Sequence, residues 1–247
     1  MTDASQASSR ALSANPGQAR PATNNPCIFI ISAPSGSGKT TLVDRLLKDL
    51  GGLRFSVSYT TRNPRGKEQN GREYYFVSRS EFEAMIGQDD LLEWAEVFGN
   101  YYGTARRFLD EARQHREDLL LDIDVQGAAK LRQRLPEAVS IFILPPSRAE
   151  MEARLRKRGQ DSEEVIAKRL RDARREITNV GQYDYVLIND QLDRSAEALR
   201  AIVSSERNRL TGCGIQGDGA QVGALAEGCR TAAQSERLAP ILEGFRD

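Results

Sequence analysis

The residues best suited to chemistry lie in one short stretch of the 247-residue chain, Ala33-Pro34-Ser35-Gly36-Ser37-Gly38-Lys39-Thr40-Thr41. This stretch follows an apolar run at positions 27–32 that predicts a buried strand, and it leads into a segment whose leucines fall on one helix face. A strand, a glycine-rich turn, Lys-Thr and a helix in this order are typical of a phosphate-binding loop. Backbone N–H groups and the helix N-terminus would then form a cradle for anions. The predicted chemistry is therefore the handling of a nucleotide's phosphate groups.

Two side chains of this loop have distinct predicted roles. Lys39 would supply a cation for the β- and γ-phosphates, and the hydroxyl of Thr40 would ligate Mg²⁺. Ala33 stands where the pattern usually has its first glycine, which alanine can replace only if its φ stays below zero. The loop residues predicted to contact the nucleotide are Ala33, Pro34, Ser35, Gly36, Ser37, Gly38, Lys39, Thr40 and Thr41. A Gly/Ser-rich surface turn that happens to precede a helix is the alternative interpretation.

Two carboxylates follow a second apolar run, at positions 119–121. An aspartate at the end of a parallel strand beside the first one can hold Mg²⁺, usually through water, and we assign that role to Asp122 together with Thr40. Asp124 begins Asp124-Val125-Gln126-Gly127, which matches the D-x-x-G of small GTPases, but the guanine-reading Asn-Lys-x-Asp of those proteins is missing. Either aspartate could instead only cap the following helix.

Arginines form two further groups. Arg62 and Arg65 flank Pro64, and two guanidinium groups from one stiff turn suit a phosphate, although surface arginines often have no function. A basic run over 154–158 and more arginines over 169–175 would by default lie on solvated helix faces. Because Arg158-Gly159 falls at a predicted helix junction, a closing lid is the alternative.

Composition limits the partners. The chain has 35 basic and 35 acidic side chains, so it has no general attraction to nucleic acid or to an anionic membrane. The three cysteines form no CxxC pair, and no apolar stretch has the length of a membrane helix or a signal region. We expect a reduced, cytoplasmic protein without nucleic-acid or membrane partners. The oligomeric state stays open, a homo-oligomer included.

Strand and helix patterns alternate between two polar ends, which favours an α/β fold. A block rich in tyrosine and turn residues interrupts this alternation. Within it, Asn70-Gly71 predicts a hairpin, and Ser80 with Glu83 predicts the start of a helix. Residues 1–25 are predicted to be a disordered tail, and residues 211–247 a flexible tail with at most one short helix.

Several of these stretches together resemble the guanylate kinase family over about residues 26–210. The most specific stretch is Ser56-Val57-Ser58-Tyr59-Thr60-Thr61-Arg62-Asn63-Pro64-Arg65, followed by Glu68, Gly71, Tyr74 and Phe76. Glu93-Trp94-Ala95, Asn100-Tyr101-Tyr102-Gly103-Thr104, the segment 121–127 and the lid stretch 154–159 with 168–170 are similar to the family as well. Ala33 and Lys67 depart from the family, which often has glycine there.

The resemblance implies a role for each site residue. It implies that the GMP phosphate is held by Ser58, Arg62, Arg65 and Tyr74 with help from Tyr102, and that the guanine edge is read by Glu93, Thr104 and Asp124. It further implies that Arg158 and Arg169 clamp the ATP phosphates beside Lys39 as catalytic residues, and that Asn189 lies near the adenine.

The implied fold is a P-loop NTPase core, with a parallel sheet flanked by helices, over residues 26–58 and 104–210. A mainly β GMP-binding lobe is inserted at 59–103, and a short helical lid lies at about 154–170. The implied reaction is Mg²⁺-dependent phosphoryl transfer from ATP to GMP, in purine nucleotide metabolism and GMP or dGMP recycling. Two alternatives remain: a kinase of another nucleoside monophosphate or small molecule, and a guanylate-kinase-like binding module without activity. The intact Gly36, Gly38, Lys39 and Thr40 argue against the binding module.

Overall fold

The computed structural model describes residues 25–97, 99–159, 161–211 and 219–246. Its strands are β1 (Ile28–Ser32), β2 (Leu53–Ser56), β3 (Tyr59–Thr60), β4 (Tyr75–Phe76), β5 (Leu91–Val97), β6 (Asn100–Ala105), β7 (Asp118–Asp122), β8 (Val139–Leu144) and β9 (Tyr185–Ile188). Its helices are α1 (Lys39–Asp49), α2 (Arg79–Gly87), α3 (Arg107–His115), α4 (Val125–Arg134), α5 (Arg148–Arg158), α6 (Glu163–Ile177), α7 (Leu192–Thr211), α8 (Gly219–Gly228) and α9 (Ser235–Gly244).

The larger sheet has five strands in the order β2-β7-β1-β8-β9. The pairs β2–β7, β1–β8 and β8–β9 run parallel. Strands β1 and β8 are buried along their whole length, as expected for parallel strands covered on both faces. The predicted α/β fold with a parallel sheet is confirmed.

A second, mixed sheet has the strand order β4-β3-β6-β5. Strands β5 and β6 pair antiparallel, but β3 and β4 pair parallel, with Tyr59 opposite Tyr75. The predicted hairpin at Asn70-Gly71 is therefore wrong. The Gly71 N–H donates to the Tyr74 carbonyl at 2.8 Å, and the Asn70 side chain accepts from the Phe76 N–H at 2.8 Å. These bonds close a local turn, after which the chain runs beside β3 in the same direction.

Helix α2 begins two residues earlier than its sequence suggests. Ser78, not Ser80, is the N-cap: its hydroxyl accepts from the Glu81 N–H, and the Glu81 carboxylate accepts from the Ser78 N–H. The sequence holds two overlapping Ser-x-x-Glu patterns, and the earlier one forms the reciprocal capping box. Helix α5 is capped in a similar way by Ser147, whose side chain accepts from the Glu150 N–H.

The described residues divide into two compact units, one of residues 25–28 with Gly51–Glu137 and one of Phe29–Leu50 with residues 138–246. The first contains the mixed sheet, β2, β7 and helices α2–α4. The second contains α1, β8, β9 and helices α5–α9. Over the described ranges, no helix has both the length and the apolar character needed to cross a bilayer.

The C-terminal segment 219–246 corrects the expectation of a flexible tail. It forms α8, a 3₁₀ turn over Ala232–Gln234 and α9, and it buries Ala226, Leu238 and Phe245. Its Cys229 carbonyl accepts from the Val186 N–H of β9 at 2.9 Å. The apolar side chains that dock it are few and widely spaced, so the local pattern resembles a linker. The tail predicted at 1–25 lies outside the described residues except for residue 25.

A buried ion cluster fastens this segment to the rest of the second unit. Glu206 of α7 is 1% exposed and accepts from the Tyr185 hydroxyl at 2.5 Å. It also pairs with Arg230 at 2.9 Å and with Arg209 at 2.7 Å. Arg230 lies 4.2 Å from the centre of the Tyr185 ring. The carboxylate is thus fully satisfied, and one of its partners comes from the C-terminal segment.

Arg230→Ala should destabilise the protein by about 1–3 kcal/mol, below the cost of breaking a fully buried pair, because Arg230 is partly exposed and Arg209 stays with Glu206. Urea unfolding followed by circular dichroism measures the loss. The matched control is Arg237→Ala in α9, whose side chain is 57% exposed and lies 3.7 Å from Asp190. An equal, small effect of both substitutions would contradict a structural role for the cluster.

Candidate active site

The phosphate-binding loop joins β1 to α1 as predicted. Gly36 and Gly38 have φ of 93° and 88°, values that favour glycine. Among the described residues only Asp89 and Arg116 are non-glycine residues with positive φ, so Ala33 meets the condition for replacing glycine. A Cβ on Gly36 would lie 3.2 Å from Leu155 and 3.3 Å from Met151, both in α5. The loop therefore has both the backbone conformation and the close packing that its glycines predict.

Two side chains hold the loop from one side through the Ser37 carbonyl. The Asn189 amide donates to that oxygen at 2.8 Å, and Arg154 Nη1 donates to it at 3.2 Å. Arg154 Nη2 also donates to the Asn189 carbonyl at 3.0 Å. Because C=O and N–H point in opposite directions across a trans peptide, these bonds turn the Gly38 N–H away from Asn189 and Arg154. A Cβ on Gly38 would lie 2.3 Å from Asn189 Nδ2, so only glycine fits there.

The other predicted ATP-site residues lie around this loop or at the ends of the helices near it. Arg169 donates to the Ser35 hydroxyl at 2.7 Å and pairs with Asp161 at 3.0 Å. Lys39 is half-buried at the start of α1, while Thr40 and Thr41 are exposed. Arg158 is exposed at the C-terminal end of α5. The structure thus brings Arg169 to the loop, whereas Arg158 is exposed at a helix end.

In the first unit, Glu68 orients the arginine turn. Arg62 is 9% exposed, and its Nη2 donates to both Glu68 carboxylate oxygens at 3.0 Å. Glu68 also accepts from the Arg65 N–H at 2.7 Å, which closes the turn. The Arg65 side chain is exposed and has no ion-pair partner among the described residues.

Aromatic rings surround the Arg62 guanidinium. Its centre lies 5.3 Å from the Tyr74 ring, and Tyr102 meets the Tyr74 ring edge-on at 6.0 Å. Burial, reinforced by the charge of Asp122, raises the pKa of Tyr74 to about 12. Its hydroxyl therefore stays protonated and can donate a hydrogen bond. Ser58 is 8% exposed and comes just before β3. The predicted phosphate-binding side chains Arg62, Tyr74 and Tyr102 are thus neighbours.

A second cluster centres on the buried Glu93 of β5. Its Oε1 accepts from the hydroxyl of the fully buried Thr104 at 2.7 Å. Its Oε2 faces the first turn of α4, where a Cβ on Gly127 would lie only 2.5 Å away. Asp124 caps α4, accepting from the Gln126 N–H at 2.8 Å and the Gly127 N–H at 3.2 Å. The three predicted base-reading residues, Glu93, Thr104 and Asp124, are thus brought together.

Burial raises the pKa of Glu93 to about 7, against the lowering effect of the Thr104 hydrogen bond. The nearby charge of Asp124 raises the pKa further, and Lys130 lowers it. Lys130 Nζ donates to the Trp94 carbonyl and so ties α4 to β5. This carboxyl group therefore changes charge near neutral pH.

Four contributors escape sequence reasoning. Arg154 is hidden within a basic run, and Glu68 and Gly127 appear there only as members of longer motifs. Lys130 carries no signal of its own. Arg154, Gly127 and Lys130 gain their roles from contacts across the fold, whereas Glu68 acts within its own turn. Among the three remote contributors, only Gly127, inside a D-x-x-G sequence that begins a helix, had a local sequence signal.

The parallel sheet, the phosphate loop, the arginine-bearing helices and the mixed sheet with its buried carboxylate define a P-loop kinase that acts on a nucleoside monophosphate. Comparison with known proteins narrows this class. The family model described as guanylate kinase matches residues 25–206. The guanylate kinase of Koribacter versatilis is 53% identical over 223 residues, covering 89% of this chain and 96% of that protein.

Two further relatives agree. The guanylate kinase of Neisseria meningitidis serogroup A is 56% identical over 180 residues, covering 73% of this chain and 88% of that protein. The crystal structure of guanylate kinase from Anaplasma phagocytophilum superposes with a TM-score of 0.62 at 35% identity, covering 75% of this chain and 88% of that one. The chain belongs to the guanylate kinase family.

Gly127→Ala should displace the Glu93 carboxylate. Alanine favours a helix over glycine by about 0.8–1.0 kcal/mol, so any loss must come from the close contact and not from α4 itself. If Glu93 accepts hydrogen bonds from GMP, the KM for GMP should rise by about ten-fold or more while the KM for ATP stays unchanged.

The matched control is Gly87→Ala at the end of α2, where an added Cβ would meet nothing within 4 Å. Steady-state kinetics on both variants gives the comparison. An unchanged KM for GMP in Gly127→Ala would show that the close approach of α4 does not position Glu93.

Proposed function

We propose that this chain catalyses the reversible reaction ATP + GMP ⇌ ADP + GDP with Mg²⁺. The observation that carries the proposal is the buried Glu93 carboxylate, held by Thr104 on one oxygen and facing α4 with the other. Guanine presents N1–H and an exocyclic amino group as adjacent donors, which two carboxylate oxygens can meet. Adenine has an acceptor at N1 and no 2-amino group, so it would leave the buried carboxylate unpaired.

The acceptor phosphate is assigned to the arginine turn. Arg62 is already oriented by Glu68 and screened by aromatic rings, and the exposed Arg65 is available to close over an anion. The protonated Tyr74 hydroxyl would add a neutral donor, together with Ser58 and Tyr102. Charge-assisted bonds from forked guanidinium groups suit a phosphate better than an ammonium would.

The donor nucleotide is assigned to the phosphate loop. The buried Ser37 hydroxyl has no hydrogen-bond partner among the described residues, which fits a loop that meets a polyanion. Lys39, Arg158 and Arg169 would neutralise charge on the phosphates, and Asn189 would contact the adenine. The Asn189 Nδ2 is engaged by Ser37, so Oδ1 is the atom left to accept from the adenine amino group.

The residues assigned to Mg²⁺ fit a hard cation. Thr40 offers an exposed hydroxyl in the first turn of α1, and Asp122 offers a carboxylate at the end of β7. Both are oxygen donors of the kind that Mg²⁺ prefers, alongside phosphate oxygens. The ion would supply charge neutralisation at the transferring phosphate.

The mechanism needs no general base from this chain. A phosphate oxygen is a competent nucleophile at neutral pH, so catalysis rests on positioning and on charge neutralisation by the lysine and arginines. Exclusion of water would prevent wasteful hydrolysis of ATP. A cytoplasmic location stays a prediction, and a homo-oligomer is compatible with the proposal.

The direct test is a coupled assay of ADP formation with GMP, AMP, CMP and UMP as acceptors. GMP should be preferred by several orders of magnitude, because a site built to hydrogen-bond one substrate rejects an analogue without the partner by roughly 10⁴-fold. A preference for another monophosphate would overturn the assignment of the acceptor, and no turnover with any of them would favour a binding module.

Lys39→Ala should abolish most turnover with GMP and leave the melting temperature nearly unchanged, since Lys39 lies at the start of α1, outside the core. Lys48→Ala, an exposed lysine in the same helix, is the control and should keep normal kcat. Near-normal kcat in Lys39→Ala would contradict a role for Lys39 at the transferring phosphate.

Glu93→Gln should lower kcat/KM for GMP sharply and narrow the preference for GMP over AMP, since the amide turns one acceptor into a donor facing guanine. The pKa of about 7 for Glu93 in the wild-type protein provides a second test of this role. The ionised carboxylate is the form that accepts from guanine, so GMP affinity should weaken as pH falls below about 7.

Glu93→Gln should lack that part of the pH dependence. Both proteins share the titration of the GMP phosphate, so the difference between their pH profiles of kcat/KM isolates Glu93. Identical profiles, or an unchanged ratio of GMP to AMP activity, would show that Glu93 does not read the base.

A further inference from the structure

A cavity of about 250 Å³ lies between α5 and α6, and one residue of the C-terminal segment also lines it. Helix α5 lines it with Arg148, Glu152 and Arg156, which are spaced four residues apart and so share one face. Phe245, which directly follows α9, lines it as well. Helix α6 lines it with one face, which consists of Glu163, Ile166, Ala167, Leu170, Arg171 and Arg174. Its lining shares no residue with the assigned ATP and GMP sites.

The charges that line this cavity do not balance. Four arginines face it, and its two carboxylates, Glu152 and Glu163, are both paired with Arg156. Among the described residues, Arg148, Arg171 and Arg174 have no hydrogen-bond or ion-pair partner. The lining therefore carries an excess of two positive charges.

The remaining lining is apolar. Ile166 and Leu170 of α6 and the nearly fully buried Phe245 form a hydrophobic wall next to the arginines. A ligand that satisfies both parts needs a compact anionic group and a small apolar body. The volume corresponds to roughly eight water molecules, which suits a small metabolite and is too little for a whole dinucleotide.

We propose that this cavity binds a small phosphate monoester with an apolar substituent. A phosphate monoester carries about −1.5 to −2 charge at neutral pH, which matches the excess positive charge of the lining. Its oxygens suit the forked donors of arginine. The apolar substituent packs against Ile166, Leu170 and Phe245. Because the ligand would contact both α5 and α6, it joins the two helices that carry Arg158 and Arg169.

Phenyl phosphate is the probe, titrated calorimetrically into the full chain in the presence of saturating ADP and GMP, so that the nucleotide sites are occupied. We expect one saturable site. Inorganic phosphate, which lacks the apolar body, should bind more weakly by about ten-fold or more.

Arg174→Gln and Arg175→Gln form a matched pair. Both arginines are exposed neighbours in the last turn of α6, and both substitutions remove one positive charge, but only Arg174 lines the cavity. Arg174→Gln should weaken phenyl phosphate by about ten-fold, while Arg175→Gln should stay within two-fold of wild type. Ala167→Leu, which fills the cavity from an exposed position without a change of charge, should also abolish binding.

The proposal fails if phenyl phosphate shows no saturable binding once ADP and GMP are present. It also fails if Arg174→Gln and Arg175→Gln weaken binding equally, which would indicate general attraction to a basic helix. Equal affinity for inorganic phosphate would show that the apolar wall does not contact the probe. Binding that survives Ala167→Leu would place the probe outside the cavity.

Discussion

The Ser37 carbonyl oxygen is the point on which the phosphate loop depends. It accepts hydrogen bonds from both Asn189 and Arg154, and these two side chains come from different parts of the second unit. By fixing the carbonyl they also fix the opposite direction of the next N–H group, which is the kind of donor a phosphate cradle needs. Gly38 is required for the same reason, since a Cβ would occupy the place of the Asn189 amide. The order of the loop is thus imposed from outside it.

The first unit holds a buried carboxylate, that of Glu93, in a position where a ligand can meet it. A buried carboxylate without partners would be costly, and Glu93 accepts hydrogen bonds from the hydroxyl and the backbone N–H of Thr104. The result is a pKa near neutrality, at which the group is only partly ionised before a ligand arrives. A base that brings two N–H donors would stabilise the ionised form, so binding and deprotonation are coupled. Thr104 contacts one carboxylate oxygen of Glu93, and the missing Cβ of Gly127 leaves space for the other.

Sequence reasoning succeeded where the signal is local. The apolar runs at 27–32 and 119–121 form the strands β1 and β7, and the phosphate loop has the predicted glycine conformations. It failed where two local signals compete or where the partner is remote. Ser78 and Ser80 each begin a Ser-x-x-Glu pattern, and the sequence alone does not say which will cap α2. The approach of Gly127 to Glu93 exists only once distant segments have folded together.

The C-terminal segment shows how a few remote contacts can outweigh a weak local pattern. Its composition resembles a linker, yet it supplies the carbonyl that satisfies the Val186 N–H of the edge strand β9, and an arginine to the buried Glu206. Each group would be costly to leave unpaired, so docking is favoured by satisfied polar groups as much as by apolar area. The same docking buries Phe245 against the wall between α5 and α6. The cavity between these helices is therefore a property of the docked chain, because Phe245 supplies part of its apolar lining.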